Sequence, residues 1–373
     1  MSVQAARAKF RLFSILLAFV ALAPGWAAAD DDHRRGPQRS FDRIVVFGDS
    51  LSDPGNAFAL NGGQTVAAPD YGMAGVDGNG IPEVITLIPD APYKSRRFSD
   101  GRTWIEDLAA RIGRASDARP AAAGAAFGED EGRASNYAVG GATAADLSAF
   151  GGSRFHLAVQ VNLFLGDVRN HAPSDALYII AIGGNDIRAA SALGPSVIAS
   201  ALTSVARNIQ GLYGAGARKF LVWNAPDLGR TPAVQRLDKF VCALSSQAPG
   251  CVIGPATAAS AAYNFGVGGN PGLDQILAGL AATLPGITIV QFDTFHALAT
   301  IQGDPKRFGL RDATTACIEP NVPQFGFPSS PPFRCAQPDT HLFWDGIHPT
   351  RGGHRVIAEL VGKVLLRELV FDD

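Results

Sequence analysis

Five residues in this sequence could together carry out acyl transfer. Ser50 stands in Gly48-Asp49-Ser50-Leu51-Ser52-Asp53, directly after an apolar run. A hydroxyl between a strand end and a helix start is accessible, and its own N–H lies where helix-start donors favour negative charge. A serine needs a base, and His348, in Trp344-Asp345-Gly346-Ile347-His348-Pro349, is the best candidate. Asp345, three residues earlier, can turn back to hold the imidazole and stabilise its cationic form. Acyl transfer also needs donors aimed at the developing oxyanion. The Ser50 N–H, the Gly141 N–H and the Asn185 side-chain amide can supply three, the last two from Gly140-Gly141-Ala142-Thr143 and Gly183-Gly184-Asn185-Asp186. Each block alone is an ordinary turn; their order, mostly at successive strand ends, carries the weight.

The elements that must position these residues are legible as periodicity. Strands are expected at 43–47, 135–139, 177–182, 219–223 and 287–292. Several are continuously apolar, as in Leu177-Tyr178-Ile179-Ile180-Ala181-Ile182, which suits a parallel strand covered on both faces. Ile198, Leu202, Val205, Ile209 and Leu212 form one helical stripe, followed by Gly214 and Gly216 as stop signals. Thr103-Trp104-Ile105-Glu106 reads as a capping box that opens a helix through Leu108 and Ile112. A last helix is expected over 353–369, with Val356, Leu360, Val364 and Leu365 inward. This alternation predicts an α/β fold: a three-layer α/β/α sandwich with a five-stranded, mostly parallel sheet, in one catalytic domain over 43–373. Ligands of such sheets bind beyond the carboxyl ends of the strands, where the four blocks at 48–53, 140–143, 183–186 and 224–229 fall.

The 373 residues are 47% apolar and 18% charged, with net charge −2 and no basic stripe. Disorder and nucleic-acid binding are therefore excluded as readings. Arg7, Lys9 and Arg11 precede an apolar run from Leu12 to Ala23 that ends in Ala27-Ala28-Ala29. That is the pattern of a secretory signal peptide over 1–29, too short for a transmembrane anchor. Residues 30–42 are charged and expected to be a mobile leader. The mature chain is expected to be a monomer, secreted or periplasmic. Four cysteines fit an oxidising compartment. Short loop closure favours Cys242 with Cys251 and Cys317 with Cys335, although four cysteines allow three pairings.

No Gly-x-Ser-x-Gly elbow, dinucleotide fingerprint or Walker loop is present. His341 and His354 stand near Asp345 and His348 and could suggest a metal, but the triad accounts for the latter pair, and no metal or cofactor is expected. With its blocks read together, the sequence resembles the GDSL esterases and lipases, also called SGNH hydrolases. Phe47 to Asp53 matches the nucleophile block, Asn136 to Ala142 the glycine block, Gly183 to Asp186 the asparagine block and Asp345 to Pro349 the Asp/His block. Arg97-Phe98-Ser99-Asp100-Gly101 and Asn224-Ala225-Pro226-Asp227-Leu228-Gly229 resemble the larger secreted branch, which includes plant-type GDSL lipases and bacterial lipases related to glycerophospholipid–cholesterol acyltransferase. The resemblance implies Ser50 as nucleophile, Asp345 and His348 as its partners, and Gly141 and Asn185 as oxyanion donors.

The expected function is hydrolysis of a carboxylic ester, lipid or small molecule, through an acyl-serine intermediate. Acyl transfer to an alcohol or phospholipase action at the same site, and non-catalytic ester or carbohydrate binding, are the alternatives. The Gly- and Pro-rich segment 61–94, with Tyr71, Met73, Ile85 and Leu87 among few charges, is expected to line an acyl pocket.

Overall fold

Four strands build the central sheet: β1 (Arg43–Gly48), β2 (Ala176–Ala181) and β3 (Lys219–Trp223), which are almost wholly buried, and β4 (Thr288–Phe292), in which Val290 and Phe292 are buried. They lie in that order and all neighbours are parallel, with Val45 opposite Tyr178, Ile179 opposite Leu221 and Leu221 opposite Val290. Side chains alternate between faces along a strand. Val45, Phe47, Tyr178, Ile180, Phe220 and Val222 therefore enter one core, and Ile44, Val46, Leu177, Ile179, Leu221 and Trp223 enter the other. This computed structural model describes residues 41–60, 62–63, 65–66, 88–89, 93–94, 96–121, 134–319 and 333–369. The expected signal peptide, residues 30–40 of the leader, most of segment 61–94 and residues 320–332 lie outside the described residues.

Helices cover both faces, as continuously apolar parallel strands require. On the first face lie α3 (Leu157–Asp167), α4 (Gly184–Leu193), α5 (Ser196–Gly214), α7 (Ile253–Phe265) and α8 (Leu273–Thr283), which bury Phe164, Ile187, Ile209, Tyr263 and Leu277. On the second lie α2 (Trp104–Arg111) and α10 (Arg351–Leu369), which bury Trp104, Leu108, Val361 and Leu365. Three further α-helices are the short α1 (Asn56–Leu60), α6 (Pro232–Leu244) and α9 (Thr294–Gly303). The three-layer α/β/α sandwich is the fold of this chain. Among the described residues, no helix is long and apolar enough to cross a membrane.

The strand count differs from the expected five. Residues 135–139 run beside β1, where Val46 N–H donates to Ser135 O at 2.9 Å and Tyr137 N–H to Val46 O at 2.7 Å, but they form only isolated bridges. Side-chain bonds to the backbone, one long-range and one local, compete with the ladder there. The Ser135 hydroxyl donates to Ile44 O at 2.6 Å, and Asn136 Oδ1 accepts the Ala138 N–H at 2.9 Å. The last helix also starts two residues earlier than expected. Thr350 Oγ1 accepts the Gly353 N–H at 2.9 Å, and the Asp100 carboxylate accepts the Arg351 N–H, so α10 is capped from both sequence neighbours and a distant loop. The first helix of that core face opens as expected: the Glu106 carboxylate accepts the Thr103 N–H at 2.9 Å, and Arg97 holds the same carboxylate at 2.8 Å.

Strands β5 (Asp312–Ala316) and β6 (His341–Phe343) pair in parallel outside the main sheet, and β6 leads into the 344–349 turn. Cys242 is joined to Cys251 and Cys317 to Cys335. The first bridge ties α6 to the start of α7, where the Asp238 carboxylate also accepts the N–H groups of Gly250, Val252 and Ile253 at 2.7–3.0 Å. The second packs with Tyr93 and Trp344 immediately behind the 344–349 turn.

Candidate active site

Chain exit from β1 into a tight turn sets the position of Ser50. A Cβ on Gly48 would stand 2.6 Å from the Ala181 carbonyl of β2, so only glycine lets the two strand ends approach this closely. Buried Gln160 of α3 holds both backbone groups of Gly48, accepting its N–H at 2.9 Å and donating to its carbonyl at 2.8 Å. Asp49 Oδ1 accepts the Leu51 N–H at 3.0 Å, which closes the turn around Ser50. Burial pushes the Asp49 carboxyl up to about 6, against the opposing pull of that N–H and of His348 and Arg188.

The turn after β6 brings His348 to Ser50. His348 Nε2 lies 2.9 Å from Ser50 Oγ, and His348 Nδ1 lies 2.7 Å from Asp345 Oδ2. The three-residue spacing works because the two Asp345 oxygens divide their partners. Oδ1 accepts the backbone N–H groups of Ile347 at 2.9 Å and His348 at 2.7 Å, folding the turn, while Oδ2 faces the imidazole. The Tyr93 hydroxyl donates to the same Oδ2 at 2.6 Å. Burial raises the Asp345 carboxyl, but the neighbouring His348, its ring hydrogen bond, Tyr93 and the His348 N–H outweigh that, and the carboxyl is held below the usual carboxylate range. Phe98 lies flat against the His348 ring, with centroids 5.4 Å apart.

Residues 140–145 and the start of α4 lie beside this pair. Asp53, at the end of the nucleophile block, accepts the Gly140 N–H at 2.8 Å together with those of Gly55, Asn56 and Ala57. Gly140 passes so close to Phe98 that a Cβ would stand 2.3 Å from its ring, and Gly141 sits at φ +76°. Asp186 holds the following residues by accepting the N–H groups of Ala144 at 2.8 Å and Ala145 at 2.9 Å. Asn185 is buried; its Nδ2 donates to Ala142 O at 2.9 Å and its Oδ1 accepts from Arg188 Nη1 at 3.0 Å. These two bonds fix the amide orientation and leave one Nδ2 hydrogen free to point elsewhere. The N–H groups of Ser50 and Gly141 donate to no acceptor among the described residues.

The geometry can therefore move a proton from a serine hydroxyl to an imidazole whose far nitrogen is held by an ionised carboxylate, next to uncommitted N–H donors. The family model for GDSL-like lipase/acylhydrolase matches residues 44–361. The chain belongs to this GDSL family. Three GDSL esterase/lipases of Arabidopsis thaliana are similar to it along most of their length. One is 27% identical over 356 residues, covering 87% of each chain. A second is 25% identical over 353 residues, covering 89% of this chain and 88% of its own, and a third is 29% identical over 360 residues, covering 86% and 84%. As a GDSL family member the chain is an esterase/lipase-type hydrolase, and its substrate is a small-molecule carboxylic ester.

Several residues shape this GDSL site through contacts that no local pattern gives, although Asp53 stands in the nucleophile block and Phe98 in the 97–101 block. Tyr93, Phe98, Gln160 and Asp53 act across long stretches of chain; Tyr93 and Asp345 are 252 positions apart. His354, whose place in the sequence near Asp345 and His348 could suggest a metal, is buried, and its Nδ1 accepts the Trp104 N–H at 3.1 Å. Burial and the nearby His348 push the His354 imidazole down to about 3, so it stays neutral in that role. His341 is half-buried beside the Gln337 carbonyl. Among the described residues, the one His/Cys/Asp/Glu group close enough to share an ion is Asp238 with Cys242 and Cys251, whose sulfurs are already joined.

Proposed function

We propose that this chain is a secreted serine esterase in which Ser50 is the nucleophile, His348 the general base and acid, and Asp345 the residue that orients and stabilises the imidazolium. The observation that carries this reading is the unbroken series Ser50 Oγ–His348 Nε2–Asp345 Oδ2, at 2.9 and 2.7 Å. With Nδ1–H donating to Asp345, Nε2 is the acceptor that Ser50 needs. As Oγ bonds to the ester carbonyl carbon, its proton passes to Nε2, and the carbonyl oxygen takes up negative charge. That oxyanion is met by the Ser50 N–H, the Gly141 N–H and the free Nδ2 hydrogen of Asn185. The imidazolium then gives its proton to the departing alkoxide, leaving acyl-Ser50 and a free alcohol. Water attacks the acyl-enzyme with His348 again as base, the acid leaves, and Ser50 is restored.

The same reading takes residues 1–29 as a cleaved export signal, 30–42 as a leader, and 43–373 as one catalytic domain working as a monomer in the periplasm or outside the cell. A fluorophosphonate probe tests the chemistry directly. Mass mapping is expected to find the adduct on Ser50 and on no other serine; an adduct elsewhere would sink the assignment. Asn185→Ala is expected to lower kcat by about 10²- to 10³-fold with KM little changed, the usual consequence of removing one oxyanion donor. A loss confined to KM would make Asn185 a ground-state binding residue instead.

A further inference from the structure

A cavity of about 110 Å³ opens at Ser50 and His348 and runs inward between the carboxyl ends of β3 and β4, α9, β6 and α10. Its inner wall is Leu298 and Ile301 of α9, Leu342 and Phe343 of β6, and Ile357 and Leu360 of α10. Leu298, Ile301, Leu342 and Phe343 are buried members of a small core cluster separate from the two that flank the sheet, and the cavity follows the seam between that cluster and the α2/α10 core. Interiors normally close such seams to crystal-like density. This one stays open, is lined mostly by carbon, and reaches the proposed nucleophile.

We infer that this cavity is the acyl-binding site and that it selects esters of short acids of about four to six carbons. The inference rests on the serine-esterase reading above and adds the substrate class. The acyl chain rather than the alcohol belongs in the cavity on two grounds. The first is order of departure: the alcohol must leave before water can reach acyl-Ser50, so an alcohol lodged behind the nucleophile would be trapped by the acyl group. The second is chemistry. Asp49, Asn185 and Arg188 line the cavity beside Ser50 and His348; the other polar side chains on its wall are committed to the protein: Asn224 Oδ1 accepts the Thr294 and Phe295 N–H groups, Asn224 Nδ2 donates to Asp293, and the Thr294 and Thr231 hydroxyls donate to backbone carbonyls. A hydroxylated alcohol such as glycerol or a sugar would lose its water there and find no partner, whereas a chain ending in methyl would not. Size sets the length: an apolar cavity of roughly 150 Å³ accommodates benzene's six carbons, so the smaller space here holds a chain of about four to six.

The test is a nitrophenyl ester series from acetyl to dodecanoyl, run on the mature chain and on two variants of Ile301, with fluorophosphonate labelling of Ser50 measured in parallel. On the parent protein kcat/KM is expected to rise about three- to fourfold per added methylene up to butanoyl or hexanoyl, and then to level or fall. Ile301→Phe fills the inner end and is expected to lower the hexanoyl-to-acetyl ratio of kcat/KM at least about tenfold. Ile301→Ala lengthens it and is expected to move the optimum to octanoyl or beyond. Ser50 labelling reports whether each variant is folded, and the parent profile together with Ile301→Ala decides the matter even if Ile301→Phe does not fold. A profile that is flat, or that climbs to dodecanoyl, or a ratio that neither variant moves, overturns the inference while Ser50 still labels. No hydrolysis of any ester with Ser50 unlabelled overturns the esterase reading and this inference with it.

Discussion

Ser50→Ala is expected to lower kcat on a nitrophenyl ester by about 10⁴- to 10⁶-fold, with the circular dichroism spectrum and melting temperature close to those of the parent. The Ser50 hydroxyl makes one described hydrogen bond, to His348 Nε2, and its side chain is only half-buried, so removing the oxygen leaves no unpaired core group. The turn that holds residue 50 depends instead on Gly48, Gln160 and the Asp49 carboxylate, all of which remain. What remains is binding plus the oxyanion donors, which alone give a residual rate above that in water. His348→Ala should fall to the same level, and the double variant should fall no further, because the two side chains act in one proton transfer. Steady-state rates of the three variants check this. A Ser50→Ala protein that keeps more than about a hundredth of the parent rate would remove Ser50 from the mechanism.

How much of this was legible in advance depended on whether a feature is local. The chain exits β1 through Gly48-Asp49-Ser50, and Asp345 folds its own turn onto His348 through two backbone N–H groups, so the spacing of each block is its structure. The parallel strands were legible for a similar reason: covered on both faces, Leu177 to Ile180 must be apolar at every position. Residues 135–139 look equally strand-like, but the Ser135 and Asn136 side chains spend their hydrogen bonds on neighbouring backbone, and one ladder position is all that forms. Tertiary partners left no trace in the pattern. Nothing near Tyr93 says that its hydroxyl will meet Asp345, nothing near Asp53 says that it will hold Gly140, and nothing near His354 says that its ring will accept the Trp104 N–H of α2. The apolar cavity is likewise assembled from β3, β4, α9, β6 and α10, elements whose apolar residues read in sequence simply as core. Segment 61–94, expected to line an acyl pocket, contributes Tyr93 to the described site through its hydroxyl.

Asp345→Asn is expected to cost about 10⁴-fold in kcat while leaving fluorescence, melting temperature and KM near the parent values. The size of the effect follows from how the two oxygens are used. Oδ1 is committed to the N–H groups of Ile347 and His348, which fold the turn, and an amide can keep those bonds only by leaving its oxygen there. Its NH₂ then replaces Oδ2, facing His348 Nδ1 where an acceptor stood at 2.7 Å. The imidazole must present a lone pair at Nδ1 and carry its hydrogen on Nε2, so the nitrogen 2.9 Å from Ser50 Oγ becomes a donor and can no longer take the serine proton. The same NH₂ meets the Tyr93 hydroxyl, which can rotate to accept, so the turn keeps its packing while the base is lost. Reversing the amide would restore the tautomer but would set NH₂ against two backbone donors, a buried clash of the kind proteins do not retain. Single-turnover acylation measured for Asp345→Asn and Asp345→Ala separates the two effects. Asp345→Ala removes the acceptor without imposing the wrong tautomer, so it should acylate no more slowly than Asp345→Asn provided that the turn stays folded. An Asp345→Asn protein within about tenfold of the parent rate would mean that His348 does not depend on Asp345 for its tautomer.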